Sequence, residues 1–240
     1  MKFYKTNFSA NFLILCHTEF MVKVKEIFTS IQGEGPYIGY KQLFIRLCGC
    51  NLNCSYCDTD FDRNKSQEFS ISEITRICNE NSDCHSVALT GGEPLLHTNI
   101  IKELGNADLS LPLYLETNGT LYDKLSDVID YITYISADIK LPSATGLRPL
   151  WEEHEEFFKI GVQKELFAKV VFDKKINDFE IHKITHLCKK YNIELILQPM
   201  MKGKSPSINS DFMQTILDKC LKIYPKTRLI PQVHKFIDVK

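Results

Sequence analysis

From residue 43 onward the chain repeats one pattern, a short apolar run followed by a stretch with helical spacing. The runs are LFIRL at 43–47, SVALT at 86–90, LPLYLET at 111–117, YITYISADI at 131–139, LFAKVVF at 166–172, IELILQP at 193–199 and TRLIPQV at 227–233. Helices fit most of the spaces between and around them, at 70–81, 97–107, 121–130, 151–161, 178–191 and 210–223. For the first helix, Ser70 with Glu73 is a capping-box signature, and Ile71, Ile74 and Ile77 hold helical spacing behind it. Strands alternating with helices at this pace imply a mostly parallel sheet with right-handed crossovers. Seven such strands predict an α/β fold of the partial or modified (β/α) barrel kind, and argue against an all-β or all-helical one. A further alternating run, VKVKEIFTSI at 22–31, places one strand ahead of the repeat.

A chain of 240 residues suits this architecture. Residues 1–20 read as an N-terminal extension of low predicted order, with Met21 an alternative start, and residues 21–240 read as one domain. The apolar stretch NFLILC in the extension lacks a clean cleavage site and is too short to span a bilayer, and no other run reaches the ~18 residues a spanning helix needs. Lys plus Arg number 29 against 30 for Asp plus Glu, a formal net charge of −1. That balance speaks against an extended nucleic-acid surface. No membrane partner and no direct nucleic-acid partner are expected.

The cysteines are the unusual part. There are nine, an odd number, and the chain is neither small nor led by a good signal peptide, so a disulfide framework is not expected. A reducing, cytoplasmic setting follows, and spacing must then sort the thiols. Cys50, Cys54 and Cys57 fall in the loop GCNLNCSYCD directly after the strand at 43–47. Such a loop can turn three thiolates toward one centre. Two centres suit them: an iron–sulfur cluster, or a structural zinc with Cys48 as fourth ligand. Strand alternation puts Cys48 on the face of Arg46, so it is expected beside the same cavity. Cys78, Cys188 and Cys220 sit in helical patterns as core residues, Cys84 lies near a strand start, and Cys16 belongs to the extension.

In parallel α/β sheets, sites form beyond the carboxyl ends of the strands. Polar groups gather there: Thr90 with Gly91 and Gly92, Glu116 with Asn118, Ser136 with Asp138, and Gln198. In TGGEP, 90–94, two glycines permit a close backbone approach to a ligand, and the Glu93 carboxylate can meet an ammonium.

The spacing Cys-x3-Cys-x2-Cys after the first barrel strand, the aromatic Tyr56 before the third cysteine, and the later TGGEP together resemble the radical S-adenosylmethionine superfamily. The resemblance implies a 4Fe–4S cluster on Cys50, Cys54 and Cys57, with one iron open to S-adenosylmethionine. One electron then cleaves that cofactor to a 5′-deoxyadenosyl radical. Tyr56, Cys57, Asp58, Gly91, Gly92 and Glu93 are the implied cofactor contacts, together with Ser136, Ala137, Asp138 and Gln198. The flanks SIQGEGPYIG, 30–39, and LFIRLCGCNLNCSYCDT, 43–59, resemble the 7-carboxy-7-deazaguanine synthases, with weaker support from DIKLPS, LQP and PQVHK.

That closer likeness runs from about residue 23 to the end and leaves residues 1–20 outside. It implies conversion of 6-carboxy-5,6,7,8-tetrahydropterin to 7-carboxy-7-deazaguanine by radical ring contraction with loss of ammonia, in queuosine and 7-deazapurine biosynthesis. Ile31, Gln32, Gly33 and Glu34 are the implied substrate loop, Arg46 meets the substrate carboxylate, and Thr90 contacts substrate from the floor. Thr59 is the implied oxygen ligand of Mg2+. A flavodoxin or ferredoxin as electron donor and a homodimer are implied as well. The family often places a C-terminal segment over the substrate, but that tail varies, so His234 and Lys235 are not counted among the implied contacts. Two other readings stay open: an activase that takes a glycine hydrogen from another protein, whose flanks this chain does not resemble, and a zinc-stabilised binding module.

Overall fold

The seven runs form seven parallel strands in a computed structural model, which describes residues 21–57 and 66–239. They are β2 (Lys41–Leu47), β4 (Val87–Gly91), β5 (Leu113–Thr117), β6 (Ile132–Asp138), β7 (Glu165–Phe172), β8 (Glu194–Pro199) and β11 (Thr227–Leu229). Each lies beside the next in chain order, as in a βα barrel. The sheet does not close: β11 is one edge, and at the other β1 (Met21–Ile31) and β3 (Gln67–Ser70) extend it in antiparallel fashion, while β9 (Met201–Lys202) and β10 (Ser205–Pro206) pair separately as a small hairpin. The barrel is therefore partial. Among the described residues no helix is long and apolar enough to cross a membrane.

The helices fall close to where spacing places them: α1 (Ile71–Glu80), α2 (Thr98–Asn106), α3 (Tyr122–Ser126), α5 (Trp151–Gly161), α6 (Asp178–Tyr191) and α7 (Ser210–Ile223), with the one-turn α4 (Pro142–Thr145) between α3 and α5. Ser70 and Glu73 form the expected capping box, the Ser70 hydroxyl accepting from Glu73 N at 3.2 Å and the Glu73 carboxylate from Ser70 N at 2.8 Å. Asn177 and Glu180 form a second one on α6. Two expectations change. The helix at 121–130 stops at Ser126 and resumes only as a 3-10 turn, Ile129–Tyr131. The strand at 227–233 ends at Leu229, because Pro231 cannot donate to a ladder, and the chain turns into α8 (Val233–Ile237).

Strand alternation divides the sheet cleanly. One face, including Leu43, Ile45, Val87, Leu89, Leu115 and Ile135, joins the helices in the main core. The concave face carries a smaller apolar layer, Phe44, Ala88, Tyr114, Phe167 and Ile196, with Tyr37 and Tyr134 packed against it. Two residues further along each strand, on the same face, the side chains are Arg46, Thr90, Glu116, Ser136, Lys169 and Gln198. A polar ring thus lies on an apolar floor, at the carboxyl end of the barrel. That is the position of the cavity.

Candidate functional site

The cavity has a volume of about 340 Å³ and is lined by the whole polar ring. Its rim is the cysteine loop. Cys50, Cys54 and Cys57 all line it, as do Tyr56, Gly91 and Gly92. Three neighbouring turns hold the loop. From the β4 turn, Gly92 N donates to Leu47 O at 3.2 Å and Glu93 N to Gly49 O at 2.8 Å. From the β5 turn, Asn118 Nδ2 donates to Asn51 Oδ1 at 2.8 Å, and Asn51 Nδ2 in turn to Thr120 Oγ1 at 3.1 Å. From α4, the Thr145 carbonyl accepts from Ser55 N at 3.0 Å and the Ala144 carbonyl from Ser55 Oγ at 2.9 Å.

The Cys50 sulfur accepts from Leu52 N at 3.4 Å and from Asn118 Nδ2 at 3.9 Å. Such N–H contacts tune a sulfur that carries negative charge. Burial pushes the Cys50 and Cys54 thiols up, and the Lys140 ammonium pulls both back toward thiolate. Among the described residues, no three His, Cys, Asp or Glu side chains converge closely enough for a single metal ion. Thiolates on one zinc would stand about 3.8 Å apart, whereas ligands to separate irons of a cluster stand wider. Cys48, expected beside the cavity, lies buried outside it, its carbonyl accepting from His97 Nε2 at 2.7 Å. Strand β2 ends at Leu47, so the alternation that would turn Cys48 inward stops one residue short. The donor set suits an iron–sulfur cluster better than a four-thiolate zinc.

Beyond the rim, Ser136, Asp138 and Gln198 line the cavity as expected of a cofactor wall. Asp138 Oδ1 and Gln198 Oε1 are buried without a hydrogen-bond partner. Two unpartnered acceptors on a cavity wall match a ligand that brings hydroxyl or amino donors. Lys140 donates to Asp138 Oδ2 at 2.8 Å and to the Tyr56 hydroxyl at 3.2 Å, which ties the β6 end to the cysteine loop. The buried His154 bridges the same region, Nδ1 donating to Gly119 O at 2.9 Å and Nε2 accepting from Lys140 N at 3.1 Å. Burial holds that imidazole down at about 4, so it stays neutral.

Two expected cofactor contacts point elsewhere. Ala137 alternates onto the helix-facing core and is fully buried there. Glu93 is fully buried as well, and both its oxygens are taken: Oε1 by Leu95 N at 3.0 Å and Thr117 Oγ1 at 2.8 Å, Oε2 by Asn118 N at 2.8 Å. Its carboxylate clasps the β4 turn to the β5 turn. The glycines before it act likewise: a Cβ on Gly91 would stand 2.1 Å from Leu47 O, and one on Gly92 1.8 Å from Gly49 O. They permit chain-to-chain contact under the cysteine loop. Asp58 and Thr59 lie outside the described residues.

More of the lining comes from β1, the turn after it, and α8. Ile31, Gln32, Gly33 and Glu34 line the cavity together with Arg46 of β2 and Thr90 of β4. Gln32 Nε2 donates to Gln42 Oε1 at 2.8 Å and to Glu116 Oε1 at 2.9 Å, while its Oε1 accepts from Glu34 N at 2.9 Å. Arg46 Nε donates to Glu26 Oε1 at 2.8 Å and its guanidinium lies 5.8 Å from the Phe28 ring centre, so its Nη edge is the one that can meet a carboxylate. Glu34 is paired with Lys169 and accepts from Gln232 Nε2 at 2.6 Å. Burial alone would raise the Glu34 carboxyl, but Lys169 and Gln232 outweigh it and hold it at about 2. The pair therefore persists at neutral pH and is lost only as pH falls from the ordinary 4.5 toward 2.

Lys169, Gln232, His154 and Glu26 are absent from the sequence reading. The offset of two residues from the apolar layer is the signal that finds Lys169. His234 and Lys235, left without a role, also line the cavity, with Val233 N donating to Gly33 O at 2.8 Å.

The model of the Radical SAM superfamily matches residues 44–164. A 7-carboxy-7-deazaguanine synthase of Geobacter sulfurreducens is 34% identical over 241 residues, covering 90% of this chain and 96% of its own. One from Archaeoglobus fulgidus is 35% identical over 230 residues, covering 90% and 97%. A crystal structure of QueE from Escherichia coli shares the fold, with a TM-score of 0.57 and 19% identity over 89% of this chain and 95% of that one.

Proposed function

Because the chain belongs to the 7-carboxy-7-deazaguanine synthase family of radical S-adenosylmethionine enzymes, we propose that it converts 6-carboxy-5,6,7,8-tetrahydropterin to 7-carboxy-7-deazaguanine with loss of ammonia. The observation that carries this reading is one cavity lined both by three thiols of a single loop and by Glu34 with Arg46. Cys50, Cys54 and Cys57 would hold the cluster, and Asp138 and Gln198 would receive donors of S-adenosylmethionine. When bound, cluster and cofactor supply the one-electron chemistry that removes a hydrogen atom from carbon.

The chain's own part is placement. Glu34, ionised at neutral pH, accepts from the N–H donors of a guanine-like edge, and Gln32 offers a second polar contact beside it. Arg46, steadied by Glu26, presents its Nη edge to the substrate carboxylate. Thr90 touches the substrate from the floor, where the apolar layer excludes water beneath the reacting carbon. Thr59 is our assignment for an Mg2+ ligand, since hydroxyl oxygen suits that hard ion. A small low-potential electron carrier such as flavodoxin or ferredoxin, a cytoplasmic setting and a homodimer complete the reading.

Arg46→Ala is expected to raise the KM for the pterin about 10- to 100-fold, the range lost with a charge-assisted contact. Iron content should stay at the wild-type level. Steady-state kinetics under anaerobic conditions check both, and an unchanged KM removes Arg46 from the substrate wall.

A further inference from the structure

Lys169 is the third of five residues in the run FAKVV on β7, otherwise apolar, and its ammonium is largely buried in the cavity wall. Desolvating an ammonium is costly unless opposite charge surrounds it. Here it is paired with Glu34 on one side and stands 3.9 Å from Asp138 Oδ2 on the other. The two Glu34 oxygens are divided: Lys169 takes Oε2 and Gln232 takes Oε1. One anchor on each oxygen fixes the plane of the carboxylate and leaves a lone pair on each for a ligand. The backbone is fixed too, since Glu34 N donates to Gln32 Oε1 and Val233 N donates to the Gly33 carbonyl.

We infer that Lys169 is a positioning residue for the substrate: it holds Glu34 ionised and aimed, and so sets the affinity for the guanine-like edge of the pterin. The inference rests on the pterin reading above and deepens it. Around this pair stand Glu116 from β5 and Asp138 from β6, which act on Lys169, Tyr114 from β5, which borders Glu34, and His234 from α8, whose imidazole is held down by burial and so offers Glu34 little positive charge. Without the ammonium, burial acts against the charged carboxylate with little to oppose it. A protonated Glu34 offers a donor where the substrate also brings donors.

The test uses anaerobically reconstituted holoenzyme with 6-carboxytetrahydropterin. Lys169→Met should raise KM at least about 10-fold with kcat changed less than about 3-fold. Its KM should also rise toward lower pH, because Glu34 without the ammonium protonates more readily, while the wild-type KM stays flat over the same range. Lys169→Arg should return KM to within about 3-fold of wild type, since a guanidinium also pairs with both carboxylates. The double variant Glu34→Gln with Lys169→Met should be no worse than Glu34→Gln alone.

A flat, normal KM in Lys169→Met overturns the inference. So does a double variant whose losses multiply, or a Lys169→Arg that fails together with Lys169→Met while both lose thermal stability. If Lys169→Met does not fold, Lys169→Gln takes its place in both the single and the double variant, with the same expected outcomes. A wild-type enzyme with a reducible cluster that turns over no pterin defeats the functional reading itself, whereas an active wild type with a normal Lys169→Met defeats only this step.

Discussion

Gly92→Ala is expected to abolish iron–sulfur loading while leaving the sheet folded. A Cβ there would stand 1.8 Å from the Gly49 oxygen, 2.4 Å from its carbonyl carbon and 3.1 Å from Cys50 N. All three are backbone atoms, so no rotamer change relieves the clash. The Gly49–Cys50 segment must move away, and with it goes the hydrogen bond from Glu93 N to Gly49 O that holds the loop. Over-packing of this kind costs about 1–3 kcal/mol, enough to displace a loop without unfolding the barrel beneath it. Iron and sulfide per chain, measured after anaerobic reconstitution, should fall to less than about a tenth of wild type, while far-ultraviolet circular dichroism stays native. Wild-type iron in Gly92→Ala would show that the β4 turn does not set the cysteine loop.

Cys54→Ala should be equally severe for a simpler reason. It removes one of three protein ligands, and among the described residues the cavity lining offers no replacement thiol, since Cys48 is buried outside it. Colour, iron and product formation should all be lost. Cys48→Ala is the paired control: it deletes a small core side chain at a cost of about 1 kcal/mol and should keep full iron and activity. A zinc site with Cys48 as fourth ligand requires the opposite, with metal lost in Cys48→Ala. Loss of iron in that control, or its retention in Cys54→Ala, overturns the ligand assignment.

The barrel could be read from sequence because each strand is short, β-branched and bounded by turns, and because one repeated grammar leaves few topologies. What escaped has identifiable causes. β3 is four residues, QEFS, with two exposed, and forms only because β1 offers an edge to pair with. The strand at 227–233 looked continuous until Pro231, whose missing N–H redirects the chain into α8. The thiol trio was legible through local spacing, since all three lie in one loop.

The substrate wall was only half legible. Gln32, Glu34 and Arg46 come from motifs, but their anchors Gln232 and Lys169 lie far away in the chain and meet Glu34 only through tertiary closure. A lysine within an apolar strand reads as a snorkelling residue until strand register places it two positions beyond the apolar floor. Glu93 shows the reverse error. Its motif points to a cofactor contact, yet three protein donors already occupy the carboxylate, and burial pushes its carboxyl up against them.

The most direct test of the account is turnover itself. The reconstituted enzyme is incubated anaerobically with S-adenosylmethionine, a low-potential reductant, Mg2+ and 6-carboxy-5,6,7,8-tetrahydropterin, and the products are quantified by mass spectrometry. The account predicts 7-carboxy-7-deazaguanine and ammonia in equal amounts, with product exceeding enzyme many times over. A reducible cluster that cleaves S-adenosylmethionine but yields no deazaguanine from this pterin would contradict it.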